Sequence, residues 1–321
     1  MLPTTSGNQS QQPNRVQLTP RDNRILAEFP HGRYYTVHQL LALYWRQPDG
    51  RMPTSSRAAQ HRLHRLTEAG LLRVIKQRVQ RGEGDLPYIY ALDRSGAILV
   101  SQQMGIDYAS IDWKPKTLEE NYIFLQHLLE THNLRIAITL SAQKLGIELS
   151  SWLYENVLRS KEWVDHVLLK DSKGTETRVS VIPDSFCILE TSRGLGYFPI
   201  EIDRGTVTLA RWRQKVQAYI QYHKSGEYQD RYQARTFRLL VLTTSMPRLM
   251  NLKEQCEQVA PKDDRFWFTT FDKVVSKVPI PYNQPGSTKA RISYTWVYND
   301  DLLIAPVWYK SGSQELHHIL E

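Results

Sequence analysis

The chain is poor in cysteine, with only Cys187 and Cys256 among 321 residues. Two thiols build no disulfide framework, and Cys187 stands in an apolar, strand-like run where a small core side chain suffices. A disulfide-stapled secreted domain is therefore excluded, and a reducing, cytoplasmic compartment is the expectation. No run of about 18 apolar residues occurs, which argues against a membrane-spanning helix. The first eighteen residues carry one charge, Arg15, and no apolar centre. Residues 1–17 read as a disordered leader rather than a signal peptide. A glycine-rich phosphate loop is missing too, because Gly194 and Gly196 in "SRGLGYF" lead into a strand and not a helix. His31, His38, His127, His132, His166, His317 and His318 stand at no ligand spacing to either cysteine, so structural zinc is not expected.

What the chain does have is an uneven charge. Its formal net charge is +8, and the segment from Arg15 to Gly105 holds 14 Lys and Arg against 7 Asp and Glu. Nearly all the excess lies in the first third, which points to a polyanion, double-stranded DNA, as that segment's partner.

The same segment has a readable order of elements. "LTPRDNRILAEFP" is a helix capped by Thr19, with Pro20 first and Ile25, Leu26 and Phe29 buried. "YTVHQLLALYW" is a second helix offering Leu40, Leu41 and Tyr44 to a core. "MPTSSRAAQHRLHRLTEAGLL" is a third, capped by Ser or Thr and stopped by Gly70 as a left-handed residue. Ala59, Leu63 and Leu66 face inward on that helix, leaving Arg57, Gln60, His61, His64 and Arg65 outward. A strand, the turn "RGEGDLP" and a second strand follow. Three helices and a hairpin make a winged-helix pattern over 18–105, which presents its third helix to the major groove. The five outward residues become base or phosphate contacts, and Arg73, Lys76, Arg78 and Arg81 on the hairpin become phosphate contacts. A winged helix that only binds protein is the alternative.

Residues 106–116 lose periodicity and read as a linker. From 117 to 280 helices and strands alternate, as in an α/β (α+β) domain with a mixed central sheet. Residues 281–321 read as a C-terminal hairpin extension, formed by two apolar runs around "YNDD". It would extend the sheet, cover an edge, or join two protomers as a homodimer.

Asp184 follows Pro183 in "SVIPDSFCILE", and Glu201 and Asp203 alternate in "PIEIDRGTV". On adjacent strands Asp184 and Glu201 can converge at one sheet edge. Paired carboxylates repel, and Mg²⁺ or Mn²⁺ relieves the repulsion and activates water, so Asp184, Glu201 and Asp203 are the expected metal ligands. The bland reading pairs Asp203 with Arg204 at a strand end and uses Asp184 to cap a bend.

This pattern resembles the PD-(D/E)xK nuclease superfamily, through Pro183-Asp184 and Glu201-Ile202-Asp203. Asp203 stands where that superfamily has its lysine. The resemblance implies that Lys215, on the following helix, supplies the cation, that Glu119 or Glu120 is the helix acid, and that Asp184, Glu201, Asp203 and Lys215 form the catalytic set. The whole chain resembles more narrowly the replication-relaxation family of plasmids and mobile elements, a winged helix followed by a degenerate nuclease-like domain. "LTEAGLL", "IPDSF", "EIDRGT" and "WRQKVQAY" carry that likeness over roughly 18–275. It implies a role in replication or transfer, with replication, transfer or transposition proteins as partners. A metal-dependent endonuclease or nickase, and a transcription regulator whose second domain binds only protein, are the alternatives.

Overall fold

Thr19 and Thr36 each open a helix with a reciprocal cap. The Thr19 hydroxyl accepts from the Asp22 amide at 3.3 Å while the Asp22 carboxylate accepts from the Thr19 amide at 2.6 Å. Thr36 and Gln39 repeat the arrangement. Each box fixes a chain entry and contributes about 1 kcal/mol. The computed structural model describes residues 16–47, 50–53, 55–75, 87–114, 118–170, 173–283 and 290–321, with side chains at 118–122, 280–283 and 290–293 excepted. The chain divides into a first unit, Met1–Lys116, and a second, Thr117–Glu321.

In the first unit the caps launch α1 (Pro20–Gly32) and α2 (Val37–Tyr44), with β1 (Tyr35–Thr36) between them. Next come α3 (Arg57–Glu68), β2 (Leu72–Ile75), β3 (Ile89–Leu92) and α4 (Arg94–Met104). The strands form an antiparallel sheet in the order β1-β3-β2. Ile25, Leu26, Phe29, Leu40, Ala59, Leu63 and Leu66 are all buried, as helical spacing requires. Gly70 ends α3 at φ +69, in the left-handed region that favours glycine. Ser56 makes no side-chain cap on α3; the Ser55 hydroxyl accepts from the Arg57 amide instead.

The helix α4 is not anticipated by the sequence reading, which ends in a strand there. Asp93 caps it through the Arg94 amide. Its Gly96 lets the helix lie on the Leu71 carbonyl, where a Cβ would come within 2.0 Å of the oxygen. Ile111 of the 106–116 stretch is buried in this unit's core, and Ile106 and Trp113 pack on it.

The second unit begins with α5 (Leu118–Leu145), β4 (Glu148–Tyr154) and the short α6 (Glu155–Leu158). A hairpin of β5 (Asp165–Lys170) and β6 (Glu176–Val181) follows, then β7 (Ser185–Thr191) and β8 (Gly194–Asp203). The chain continues through α7 (Leu209–Lys224), α8 (Glu227–Tyr232), β9 (Leu239–Thr243), α9 (Met246–Val259), β10 (Phe266–Thr270) and α10 (Phe271–Val274). It closes with β11 (Val275–Asn283), β12 (Ala290–Tyr298), β13 (Trp308–Lys310) and β14 (Leu316–His317). Seven strands form one mixed sheet in the order β14-β13-β10-β9-β8-β7-β4. β8, β9 and β10 run parallel, and β7 and β4 run antiparallel to their neighbours.

Because strand side chains alternate, the sheet has two buried faces. On one, Leu134, Ala137 and Ile138 of α5 pack on Ile200, Ile202, Leu240 and Leu242. On the other, Trp212, Val216, Leu249 and Leu252 of α7 and α9 pack on Leu239, Val241 and Phe268. The α/β class and mixed sheet are as expected.

Two readings change. Asp184, expected on a strand, lies between two: β6 ends at Val181, and Pro183-Asp184 breaks the run before β7. The two apolar runs around "YNDD" do not pair with each other either. β12 pairs with β11, while β13 joins β10 in the main sheet. Leu302 and Leu303 between them are fully buried in the core, which draws the intervening chain back onto the sheet. Among the described residues no helix is long and apolar enough to cross a membrane.

Candidate functional site

Strand alternation places Glu201 and Asp203 on the α7/α9 face of β8, opposite Ile200 and Ile202. β7 stops pairing with β8 at Ser185, but the ladder is carried one step further by Asp184. Its amide donates to the Ile200 carbonyl at 2.9 Å and its carboxylate accepts from the Ile202 amide at 2.7 Å. Asp184 thus lies at the start of β7, beside the end of β8. His127 of α5 approaches its other oxygen at 3.3 Å. Burial alone would raise the Asp184 pKa; the His127 contact, the charge of Lys215 and the Ile202 amide outweigh it and hold the carboxyl below its usual range.

Glu201 is the central group. Tyr219 donates to one of its oxygens at 2.7 Å and the Lys215 ammonium donates to the other. Tyr219 and Lys215 lie one turn apart on α7, so a single helix face brings both donors to the acid. Burial pushes the Glu201 pKa up to about 7, with the Asp184 charge adding to the effect and Lys215 and Tyr219 opposing it. Lys215 is raised above its ordinary value: burial disfavours its charge, but Glu201 and Asp184 win. Burial and then Glu201 push the Tyr219 phenol well up. His127 is also raised, despite burial, by Asp184 and the charges of Glu155 and Glu201.

The sequence reading brings together three of its four site residues, Asp184, Glu201 and Lys215. Asp203 lies on the same face but has other partners. Arg248, in the first turn of α9, donates to both its oxygens at 2.8 and 3.0 Å, and the Thr243 hydroxyl adds a bond at 2.8 Å. Its ion-pair partner is Arg248 rather than Arg204, which donates to Gln126 of α5. The side chains of Glu119 and Glu120 lie outside the described residues. Among the described side chains, the same helix brings His127 to Asp184; Glu130, one turn on, has its pKa raised by burial and accepts from Asn133 at 3.1 Å. A His-x-x-Glu pair inside the apolar run "FLQHLLE" was the available signal for both; Arg248 had none in its local sequence.

All four oxygens of Asp184 and Glu201 already face donors. Among the described residues no three His, Cys, Asp or Glu side chains are grouped to hold a metal ion. As arranged, both carboxylates are held by protein donors, so a divalent cation would have to displace Lys215 or His127.

In the first unit, Arg57, Gln60, His61, His64 and Arg65 of α3 are all exposed. His64 faces Glu68 at 3.4 Å. Arg62 turns the other way, onto the buried Asp22, with Nε at 2.8 Å from the carboxylate. Arg73 departs from expectation. It is half-buried and donates to the Leu92 and Trp113 carbonyls at 3.2 Å, so it holds the fold. Lys76, Arg78 and Arg81 lie outside the described residues.

These features define an α/β protein of two units, one presenting a basic helix face and the other a lysine-bound carboxylate on an inner strand of a mixed sheet. The chain belongs to the replication-relaxation family, whose model matches residues 26–236. The match runs from α1 to the segment before β9 and includes Asp184, Glu201, Asp203 and Lys215; Arg248 lies beyond it. Membership points to a role in replication or transfer of a plasmid or other mobile element. No curated protein and no solved structure matches the chain.

Proposed function

We propose that the protein is a DNA-binding component of a mobile element, with a winged helix in its first unit and a nuclease-like scaffold in its second. The observation that carries this is the outer face of α3. Arg57, Gln60, His61, His64 and Arg65 are solvent-exposed on a helix whose opposite face is fixed in the core. A rigid helix with exposed donors suits insertion into the major groove of double-stranded DNA. The helix order, the sheet and the charge excess of this segment agree with a winged helix. The test is fluorescence anisotropy of the full-length protein on labelled duplex DNA over a salt series. Binding should weaken steeply as salt rises, through counterion release. A folded protein whose duplex binding is absent, or insensitive to salt, would remove the reading and favour a unit that contacts only protein.

A metal-dependent endonuclease or nickase is the second reading. What favours it is the Lys215–Glu201 contact beside Asp184, which puts a cation next to two carboxylates, where it could stabilise charge developing on a phosphate. On this reading Mg²⁺ or Mn²⁺ must displace Lys215 or His127 from a carboxylate. Supercoiled plasmid incubated with Mn²⁺ distinguishes the two. Nicking by the wild type that is lost in both Glu201→Gln and Lys215→Ala supports the enzyme. Absence of nicking on DNA that the protein binds supports the scaffold.

A further inference from the structure

Between β6 and the first two turns of α7 lies a cleft of about 170 Å³ that the DNA-binding face of α3 does not include. Its floor is the Glu201 carboxylate and its walls carry Ser180, Arg211, Gln214 and Lys215. Arg211, Gln214 and Lys215 are spaced i, i+3 and i+4, so they share one stripe of α7. Ala218, one turn further, keeps the inner end open. The side chains of Ser180, Arg211 and Gln214 are exposed and have no partner among the described residues.

We propose that this cleft binds one phosphodiester of a single nucleic-acid strand, gripped by Arg211 and Lys215. The proposal rests on the reading of the protein as a nucleic-acid binder. The chemistry is that of a phosphate. Arg211 offers a planar fork of N–H donors that matches two phosphate oxygens. Lys215 has three N–H donors, one of which goes to Glu201, leaving two for a ligand. Gln214 and Ser180 add uncharged donors at the rim. The buried carboxylate lies behind Lys215 and Tyr219, so an entering anion meets the cations first.

The cleft's volume of about 170 Å³ has room for one sugar–phosphate unit, and a lone strand, free to bend, can lay one of its phosphodiesters into it. The cleft and α3 thus take different forms of nucleic acid: α3 a duplex, the cleft a lone strand of the kind that replication and transfer expose.

The test uses the full-length protein with a fluorescein-labelled oligothymidylate and, separately, a labelled duplex. Arg211→Ala should lower single-strand affinity about tenfold, the loss expected for a hydrogen bond to a charged group. It should also reduce the single-strand salt slope by about 0.7, for one phosphate contact removed. Arg211→Lys should fall between wild type and Arg211→Ala, because charge is kept and the fork is lost. Duplex affinity should change less than twofold in both, and Arg57→Ala with Arg65→Ala should show the reverse pattern. Single-strand affinity and salt slope unchanged in a folded Arg211→Ala protein would overturn the proposal. So would duplex binding by the wild type with no binding to the single strand, an outcome that leaves the α3 reading standing.

Discussion

Asp203 and Arg248 form a two-point ion pair, with Nε to Oδ2 at 2.8 Å and Nη2 to Oδ1 at 3.0 Å. It fastens the end of β8 to the start of α9, and Arg248 also bonds the Val207 carbonyl at 2.5 Å. Asp203→Asn should therefore cost stability, about 3 kcal/mol in urea unfolding, because it leaves a mostly buried guanidinium without its counter-charge. A variant as stable as the wild type would show that the carboxylate serves something other than the fold.

The Glu201 pKa is raised from 4.5 to about 7 in the folded protein. Between these values the native state keeps a proton that the unfolded chain has released. The stabilisation is full below about pH 4.5 and is lost as pH rises through about 7, a change of roughly 3 kcal/mol. His127, raised above 6.5, acts in the same direction at the upper end of the window. Asp184, lowered below 3.8, loses its contribution only in stronger acid. Thermal midpoints measured from pH 4.5 to 8 should fall for the wild type and fall less for Glu201→Gln. Identical slopes for the two proteins would place the titration elsewhere.

On the first unit, the arginines divide by environment. Arg57→Ala and Arg65→Ala should each weaken duplex binding by about 1–3 kcal/mol if they touch bases, with little effect on the melting point. Arg73→Ala should do the opposite, lowering the melting point by releasing the Leu92 and Trp113 carbonyls. Anisotropy and calorimetry on the same three proteins decide the division.

Gly96→Ala probes the α4 contact. A methyl group there would stand 2.0 Å from the Leu71 carbonyl oxygen, which is backbone and moves only with β2. The expected cost is at least the 1–3 kcal/mol typical of overpacking, read as a lower midpoint of the first unfolding transition. An unchanged midpoint would mean that α4 lifts off without penalty.

Much of this was legible in the residues themselves. Thr19 with Asp22, the stripe Ala59, Leu63 and Leu66, and the stop at Gly70 are local signals, and local physics settles them. So is the period-2 pattern that puts Glu201 and Asp203 on one face. The alternating acids announced a charged site, and the likeness to the nuclease superfamily pointed to Lys215. The α4 helix was hidden because the motif seen before it, strand and turn and strand, left no reason to look further. The pairing of β12 escaped because "YNDD" is good turn chemistry whether or not its flanks pair.

What the sequence determined alone is therefore the helices α1 to α3 with their buried faces, the alternation of helices and strands that follows, and the presence of carboxylates on β8 with a lysine on α7. Only the tertiary structure decided which charges meet. Asp203 is 45 residues from Arg248, and Asp184 is 57 from His127, so no local pattern predicts either contact. The reason is physical. A backbone cap or a helix stripe is fixed by neighbours within a turn or two, whereas a carboxylate's state depends on burial and on charges brought to it by other elements. Glu201 and Asp203 are alternate residues on one strand face. One lies under Lys215 and Tyr219 and the other under Arg248, because α7 and α9 cross β8 at different points.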